Sequence, residues 1–379
     1  MKFCLVGHSA RGLLGERTGG SELQIALLAK ALARRGHSVT LVVPGLPREP
    51  GEIDGVDLRS GWHPGQGRRV IRWMTYQLPE LRRVLVEERA DAYYTRGGNH
   101  FTWVVVRTAR AVGAVSLHGL ASDRELHADG GRFMVHVGSE WFRKVSGPAV
   151  HAVYKRQVLR SADWVVAQNE AQAETCARLR LRSITIPNIV ESPPSELSDL
   201  HEEFDVAWAG SVTDRRRSKG LEELVALASS LPDVTFQVIG QLSGLAGAAA
   251  TRGLVALPNV SLTGSLTHEQ VLVALARSRV VLNSSPSEGF SNTMLEGWSL
   301  GKPAVSLSVD PNRLLSSGRL GRCGGGSLAS TEEAIRELLA DDAMRRTLGS
   351  RCRDHVAAAH SADAVCLQYE TLVSQGKTT

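Results

Sequence analysis

Short apolar runs that end in glycine or polar residues alternate with helical segments along almost the whole chain. The chain opens with KFCLVG, a glycine-bearing loop, the helix-like stretch LQIALLAKALARRG and a second apolar run, HSVTLVVPG. ADAYYTRGG, AVGAVSLHG and SADWVVAQNE read as further buried strands. Such runs are typical of parallel strands that helices cover on both faces. The first half is therefore predicted to form an α/β domain with a doubly wound sheet.

The same alternation resumes after a polar segment, IPNIVESPPSELSDLHEE, whose Pro193 and Pro194 cannot continue a helix or a central strand. Beyond it FDVAWAGS, VTFQVIG, NVSLTGS, RVVLNSS and PAVSLS alternate with helical segments. A chain of 379 residues also exceeds the usual size of one domain. We therefore predict a Rossmann-like domain at 1–188, a linker at 189–204, a second Rossmann-like domain at 205–355, and a helix at 356–379 that crosses back to the first domain.

Two such domains are expected to face one another across a cleft. Ligands of open parallel sheets bind outside the carboxyl ends of the strands. When two sheets face each other, these ends form opposite walls of one cleft. This geometry suits a reaction between two substrates.

The two halves of the chain carry net charges of opposite sign. Residues 1–190 hold 27 Lys and Arg against 17 Asp and Glu, and residues 191–379 hold 17 against 22, which gives +10 and −5. The first half is therefore expected to meet an anionic partner, such as a phospholipid headgroup or a lipid diphosphate. No nucleic-acid-binding motif accompanies the charge, so we do not expect a nucleic-acid partner.

The sequence shows no pattern that indicates export, a membrane span, disulfide bonds or a zinc site. It has no apolar run of about 20 residues that could cross a bilayer, and its start lacks the pattern of a signal peptide. Five cysteines, an odd number without a Cys-x-x-Cys pair, predict neither disulfides nor a zinc site. We expect a cytoplasmic protein, with peripheral contact at the inner membrane surface left open.

Two loops that precede helices are candidate anion sites. TGGSE, at 18–22, follows the first strand, and its glycines would let the backbone approach a phosphate or sugar. It is neither a Walker loop nor a G-x-G-x-x-G fingerprint, and ordinary turn and cap chemistry is the alternative. GSVTDRRRSKGLEEL offers Arg215, Arg216, Arg217 and Lys219, which could stabilise a departing diphosphate. The alternative there is a solvated basic loop.

Two carboxylates lie eight positions apart in EGFSNTMLE. Glu288 is expected in the loop after a buried strand, and Glu296 in the first turns of the next helix. Thr293 and Glu296 also fit a capping box, in which the glutamate satisfies a backbone N–H. Alternatively, one carboxylate accepts hydrogen bonds from two hydroxyls of one sugar ring while the other serves a second ring.

This stretch, followed by GKPAV, resembles the signature of the retaining glycosyltransferases called family 4, which have the two-domain GT-B fold. The supporting segments TGGSE, SADWVVAQNE, IPNIVE, AGS, SKGLEEL, VIG and VSLTGSL occur in the family's order over most of the chain. The resemblance implies that Glu296 would bind two ribose hydroxyls of a nucleotide and that Glu288 would hold hydroxyls of the donor sugar. Lys219, before Gly220, matches the family's lysine on the diphosphate.

The resemblance also assigns contacts to neighbouring positions. Candidate donor-binding residues are Gly289, Phe290 and Ser291 along the sugar, Asn292 and Thr293 near the diphosphate, and Gly264 to Leu266 facing the base. Gly20 would approach the sugar or phosphate from the first domain, and His118 matches a position that often faces the reacting sugar; a structural histidine is the alternative. Glu288, Lys219 and His118 are thus the candidate catalytic residues. Family members often carry arginine after the glycine where this chain has Gly210-Ser211, so Arg215 or Arg217 would supply that charge.

The mechanism implied by the resemblance retains the anomeric configuration. The departing phosphate takes the proton of the acceptor on the same face of the sugar, so no protein base is required. An Asp-x-Asp metal motif is not evident, and Lys219 with the arginines could replace a metal's charge. We therefore expect metal-independent transfer without a cofactor, from a UDP or GDP sugar as co-substrate.

The acceptor is expected to be a polysaccharide, a lipid-linked glycan or a small-molecule hydroxyl. Two basic and aromatic stretches, at 67–90 and 140–161, could dock on an anionic membrane. The alternative is an ordinary amphipathic helix with a basic outer face. Two other functions stay open from the residues: a nucleotide-sugar epimerase of the same architecture, and a non-catalytic protein that binds nucleotide sugars.

Overall fold

The computed structural model describes residues 1–16, 18–43, 45–46, 51–63, 66, 73–98, 100–126, 156–212 and 219–376. The chain divides into two compact units. The first unit consists mainly of residues 1–189 together with 362–379, and the second mainly of Val190–Ser361.

The described strands of the first unit form an eight-stranded sheet in the order β3-β4-β2-β1-β5-β6-β7-β8. They are β1 (Lys2–Val6), β2 (Ser38–Val43), β3 (Gly51–Ile53), β4 (Val56–Ser60), β5 (Ala92–Arg96), β6 (Val115–Gly119), β7 (Trp164–Ala167) and β8 (Ser183–Thr185). Strand β3 is antiparallel to β4, and all other neighbours are parallel.

Helices cover both faces of this sheet. They include α1 (Gly20–Arg34), α2 (Leu78–Glu88), which follows a π-helical turn at Trp73–Gln77, α3 (His100–Ala111) and α4 (Glu170–Arg178). In β1, Phe3 and Leu5 pack into the core beneath α1, whereas Cys4 and Val6 pack into the core beneath α2 and α3. Both faces of the strand are therefore buried, which explains why its sequence is continuously apolar.

In the described part of the second unit, the strands form a parallel six-stranded sheet in the order β11-β10-β9-β12-β13-β14. Its strands are β9 (Phe204–Ala209), β10 (Phe236–Ile239), β11 (Val260–Gly264), β12 (Ser278–Asn283), β13 (Ala304–Ser306) and β14 (Gly321–Cys323). Its helices include α5 (Leu221–Ser230), α6 (Gly244–Val255), α7 (His268–Ala276), α8 (Asn292–Ser299), α9 (Leu328–Ala340) and α10 (Asp342–Ala359). The prediction of two α/β units with doubly wound parallel sheets is confirmed.

The last helix, α11 (Ala362–Gly376), packs against α1 in the first unit. Val365, Leu372 and Val373 lie in the same core as α1. At the surface, the Arg35 guanidinium donates to both carboxylate oxygens of Glu370, at 2.6 and 3.0 Å. An apolar face and a bidentate ion pair thus hold this helix.

The described residues contain no helix that is long and apolar enough to cross a membrane. The five cysteines are free thiols; Cys4, Cys176, Cys352 and Cys366 are buried, and Cys323 is partly buried.

Candidate active site

The turn after β12 lies at the carboxyl edge of the second sheet, where ligands of open α/β sheets bind. Asn283, the last residue of β12, accepts a hydrogen bond through Oδ1 from the backbone N–H of Ser285, at 2.9 Å. This side-chain bond folds the chain directly after the strand. The loop that carries Glu288 therefore leaves the sheet from a fixed turn.

Glu288 makes two contacts at this edge. The Ser285 hydroxyl donates to Oε1 of Glu288 at 2.7 Å, and the Lys219 ammonium forms an ion pair with the same oxygen. The Glu288 side chain is 14% exposed and that of Lys219 is 39% exposed, so the pair lies at the surface of the unit rather than in its core. Two residues that are 69 positions apart in sequence thus meet at one point.

The backbone of Lys219 is positioned by a chain of hydrogen bonds. The indole N–H of Trp208 donates to the Ser284 hydroxyl at 2.9 Å, and that hydroxyl donates to the Lys219 carbonyl at 2.8 Å. Gly220 has a φ of +66°, and a Cβ there would lie 1.8 Å from the Ser284 carbonyl oxygen. Glycine is required because the start of α5 approaches the end of β12 too closely for any side chain.

A fixed cation beside a fixed carboxylate can bind a ligand that is anionic at one end and hydroxylated at the other. An ammonium attracts phosphate as a point charge, and a carboxylate accepts several hydrogen bonds from hydroxyls. The carboxyl edge of this sheet offers both groups within contact distance of each other.

Glu296 lies in the second turn of α8 and is 8% exposed. Its Oε1 accepts a hydrogen bond from Nε2 of His268 at 3.0 Å. The capping-box interpretation of Thr293 and Glu296 is wrong, because α8 begins earlier than that motif requires. Ser291 is the N-cap, and its hydroxyl accepts from the backbone N–H of Met294.

The side chains of the turn predicted to line the sugar are buried or partly buried, and the sugar contact itself stays a prediction. The Phe290 ring is 6% exposed and packs edge-on against the rings of Trp298 and His360, with centroid distances of 6.0 and 5.2 Å. Its side chain belongs to the core of the second unit, so Phe290 could meet a ligand through its backbone alone. Gly289 and Ser291 are buried, and Asn292 and Thr293 are partly buried at the start of α8.

A glycine lies at the end of each of three neighbouring strands, β9, β10 and β11, so no side chain covers the backbone there. The N–H of Gly240 donates to the Gly264 carbonyl at 2.8 Å, and a Cβ on Gly240 would lie 1.8 Å from the Gly210 carbonyl oxygen. Gly264 is exposed with a φ of +68°, whereas the predicted base-facing neighbour Leu266 packs partly against the core.

In the first unit, Gly20 is the exposed first residue of α1. The loop before it is fixed by Glu22, whose carboxylate accepts from the hydroxyls of Ser9 and Thr18 at 2.8 and 2.7 Å and from the Gly19 N–H at 3.2 Å. Burial alone would raise the pKa of Glu22, but these hydrogen bonds outweigh it and the pKa is lowered. The glutamate of TGGSE is therefore a charged anchor for the loop.

His118, at the end of β6, is fully buried. Its Nδ1 is hydrogen-bonded to Thr95 at 2.9 Å, and its Nε2 lies 3.4 Å from Glu125. Glu125 also accepts from the N–H groups of Ala121 and Gly98, at 2.6 and 2.8 Å. Although burial would raise the pKa of Glu125, these contacts lower it. Glu125 thus joins the loops that follow β5 and β6, and His118 contacts it from the end of β6. A contact of His118 with a sugar stays a prediction.

Arg215 and Arg217 lie outside the described residues, as do Arg216 and the whole segment 213–218. His268, Ser285 and the Trp208–Ser284 pair contact or position the candidate residues but were not predicted from the sequence. A histidine at a helix start and a serine in a turn have many structural uses, so only the fold reveals their partners.

The comparisons with known proteins point to one class of enzyme. Residues 19–188 match the family model described as a glycosyl transferase 4-like domain, and residues 203–341 match the model described as glycosyl transferases group 1. No match was found among curated proteins.

Several solved structures resemble the whole chain. The sucrose-phosphate synthase of Thermosynechococcus elongatus is 20% identical, with a TM-score of 0.73 over 99% of this chain and 98% of that one. HepE of Anabaena, solved in complex with UDP and glucose, is 17% identical, with a TM-score of 0.73 over 99% of both chains. WaaG, a glycosyltransferase involved in lipopolysaccharide biosynthesis, is 14% identical, with a TM-score of 0.66 over 97% of this chain and 98% of that one. The fold shared with these proteins is GT-B.

Proposed function

The chain belongs to the group 1 glycosyltransferases, and from this premise we propose that it is a retaining enzyme that moves a hexosyl or related group from a nucleoside-diphosphate sugar to a hydroxyl acceptor. The observation that carries the proposal is the ion pair of Lys219 and Glu288 at the carboxyl edge of the second sheet. A diphosphate sugar presents charge next to hydroxyls, and this pair presents a matching cation next to a matching acceptor.

The donor is a sugar of the UDP or GDP type. Glu296 would accept hydrogen bonds from the two ribose hydroxyls, and Glu288 would accept them from the sugar. The Lys219 ammonium would lie against the diphosphate between these two ends. The structure of HepE with UDP and glucose supports this choice of ligand, because it has the same fold over nearly the whole chain.

Transfer follows a front-face route. The acceptor oxygen forms a bond to the anomeric carbon while the bond from that carbon to the diphosphate oxygen breaks. The acceptor proton passes to the departing phosphate oxygen on the same face, so the configuration is retained and no protein base is needed. Lys219 stabilises the charge that develops on the diphosphate, with Arg215 or Arg217 as a further cation. Transfer is independent of a metal ion.

The acceptor belongs to a polysaccharide, a lipid-linked glycan or another glycoconjugate. WaaG, which shares the fold, acts in lipopolysaccharide biosynthesis. Of the two stretches predicted to dock on a membrane, residues 67–72 and 140–155 lie outside the described residues. A different element, helix α3, supports peripheral contact with an anionic membrane, because its exposed positions include Trp103, Arg107 and Arg110 and the helix has no acidic residue. The Arg107 guanidinium lies 5.5 Å from the centroid of the Trp103 ring. A basic face with an aromatic anchor suits the interface of an anionic bilayer.

The test is release of nucleoside diphosphate from a panel of nucleotide sugars with a broad acceptor pool, with and without EDTA. We expect release from at least one UDP or GDP sugar, unchanged by EDTA, and a product whose anomeric configuration by NMR matches that of the donor. No release from any donor would contradict transfer, and conversion of the donor to its epimer without an acceptor would indicate an epimerase. Loss of activity with EDTA would contradict the metal-independent mechanism.

A further inference from the structure

His268 is the first residue of α7 and follows the loop after β11. The start of this helix is fixed by a capping box. The Thr267 hydroxyl accepts from the Gln270 N–H at 3.3 Å, and the Gln270 side chain accepts from the Thr267 N–H at 3.0 Å. The Cα of His268 is therefore held in place independently of its imidazole.

The imidazole contacts Glu296 from this fixed position. Nε2 of His268 lies 3.0 Å from Oε1 of Glu296, with side-chain exposures of 31% and 11%. A carboxylate accepts and does not donate, so Nε2 carries the proton in this bond. Because the contact engages one of the two carboxylate oxygens, and each oxygen has two lone-pair sites, the carboxylate can still accept from hydroxyls of a ligand.

The two helices do not depend on this bond for their placement. The end of α7 is anchored in the core by three buried residues, Ala274, Leu275 and Ala276. Helix α8 is likewise anchored by buried side chains, which include Met294, Leu295 and Trp298. The bond instead joins the helix starts that follow β11 and β12, at the carboxyl edge of the sheet. A partly exposed imidazole bonded to a nearly buried carboxylate at that edge is placed to control how the carboxylate points.

We infer that His268 is a positioning residue that orients the Glu296 carboxylate toward the ribose of the nucleotide and thereby makes binding depend on the ribose hydroxyls. This inference rests on the proposed function, because it takes Glu296 as the ribose contact. A glutamate has three side-chain torsions, and the hydrogen bond from Nε2 selects one orientation before the ligand arrives. Preorganisation of this kind raises affinity by removing the cost of ordering the side chain on binding.

The test compares nucleotides with and without ribose hydroxyls. Binding of UDP, GDP and their 2′-deoxy forms to the full chain is measured by calorimetry for the wild type, His268→Ala, His268→Gln and Glu296→Ala. We expect His268→Ala to weaken binding of the ribonucleotide by roughly 5- to 30-fold and of the deoxynucleotide by less than about 3-fold. His268→Gln can place an amide N–H near the position of Nε2, so it should restore most of the discrimination.

Turnover provides a second readout. With the best donor, His268→Ala should raise KM while kcat stays within about 2-fold, because positioning of the ribose precedes the chemical step. Glu269→Gln, an exposed neighbour on the same helix, is the matched control and should behave as the wild type. The thermal unfolding temperature of each variant shows whether the fold is intact.

The outcomes separate this inference from the proposed function. If His268→Ala keeps the wild-type preference for ribose while Glu296→Ala loses it, the role of His268 is refuted and the ribose role of Glu296 stands. If His268→Ala weakens all nucleotides equally, the bond is structural and the inference is overturned. If the wild type binds neither UDP nor GDP, the proposed function itself fails.

Discussion

Replacing Glu288 by glutamine should tighten the binding of a nucleoside diphosphate that carries no sugar. In the ligand-free protein the Glu288 carboxylate neutralises the Lys219 ammonium by direct contact. A diphosphate that approaches Lys219 must share the cation with this carboxylate and is repelled by it. Glutamine keeps the shape of the side chain and an oxygen that can accept from the Ser285 hydroxyl, but it removes the charge.

The size of the effect follows from Coulomb's law. The Glu288 carboxylate and a diphosphate that both contact the Lys219 ammonium would lie about 6 Å apart. The repulsion between these two negative charges is about 0.7 kcal/mol at a dielectric constant of about 80 and about 2.8 kcal/mol at a dielectric constant of about 20. The Lys219 side chain is 39% exposed, so we expect an intermediate value of about 1–2 kcal/mol. The dissociation constant of UDP or GDP should therefore fall by about 5- to 30-fold.

Calorimetry at low ionic strength with UDP and GDP measures this change. Glu222→Gln, which removes an exposed carboxylate in the first turn of α5, is the matched control for net charge and should change affinity by less than about 2-fold. Transfer from the intact donor should fall by at least about 100-fold in Glu288→Gln, because the sugar loses its charged acceptor. Weaker binding of the nucleoside diphosphate by Glu288→Gln would refute the competition between Glu288 and the diphosphate for Lys219.

Three further outcomes test the fold and its surface. Gly220→Ala should destabilise by about 2–4 kcal/mol in chemical unfolding, whereas Gly325→Ala, with a similar φ of +61° but open space around it, should cost about 1 kcal/mol. Glu370→Gln should lower the unfolding temperature at pH 7, because the hydrogen bond from Arg35 lowers the pKa of Glu370 to about 2. Trp103→Ala should reduce co-sedimentation with vesicles of anionic lipid at least about 3-fold and leave the unfolding temperature unchanged.

The sign of the pH effect follows from the direction of the Glu370 shift. Its pKa is lower in the folded state than the ordinary value of 4.5, so its ion pair stabilises fully above that value and is lost as the pH falls towards about 2. The difference in unfolding temperature between wild type and Glu370→Gln should therefore be constant from pH 8 to about pH 6 and shrink below about pH 5. A difference that grows on acidification would contradict the pairing.

Control measurements also decide the tests of Gly220→Ala and Trp103→Ala. Equal losses of stability in Gly220→Ala and Gly325→Ala would mean that the approach of Gly220 to the Ser284 carbonyl carries no cost. For the membrane contact, the wild type and Trp103→Ala should both bind weakly, and to the same extent, to vesicles of zwitterionic lipid. Binding to anionic vesicles that Trp103→Ala does not reduce would exclude the exposed face of α3 as the contact.

The central strands of both sheets were predictable because helices bury them on both faces. Burial on both faces gives a strand an uninterrupted apolar run, as in FCLV of β1, LVV of β2 and VVL of β12. Strand β3 at the sheet edge is largely exposed, and β8 and β14 have three residues each. Such short or exposed strands leave too few apolar positions to give a pattern. They were therefore not predicted.

The positions of Glu288 and Lys219 were predictable because each lies in a loop that connects the end of a strand to the next helix. Glu288 was expected in the loop after β12, and Lys219 before a helix start, and the structure places both there. The capping interpretation of Glu296 failed because the start of α8 is set by Ser291, two residues before the position that the motif assumed. The partner of Glu296 lies 28 residues earlier on another helix, and no local pattern indicates that pairing.

The most direct test of the donor-binding assignment is a crystal structure with the nucleotide sugar that the activity panel identifies. The assignment predicts ribose hydroxyls within hydrogen-bond distance of Glu296, the diphosphate against the Lys219 ammonium, and a sugar hydroxyl on Glu288. A nucleotide bound away from the carboxyl edge of the second sheet, or a ribose that does not contact Glu296, would contradict it.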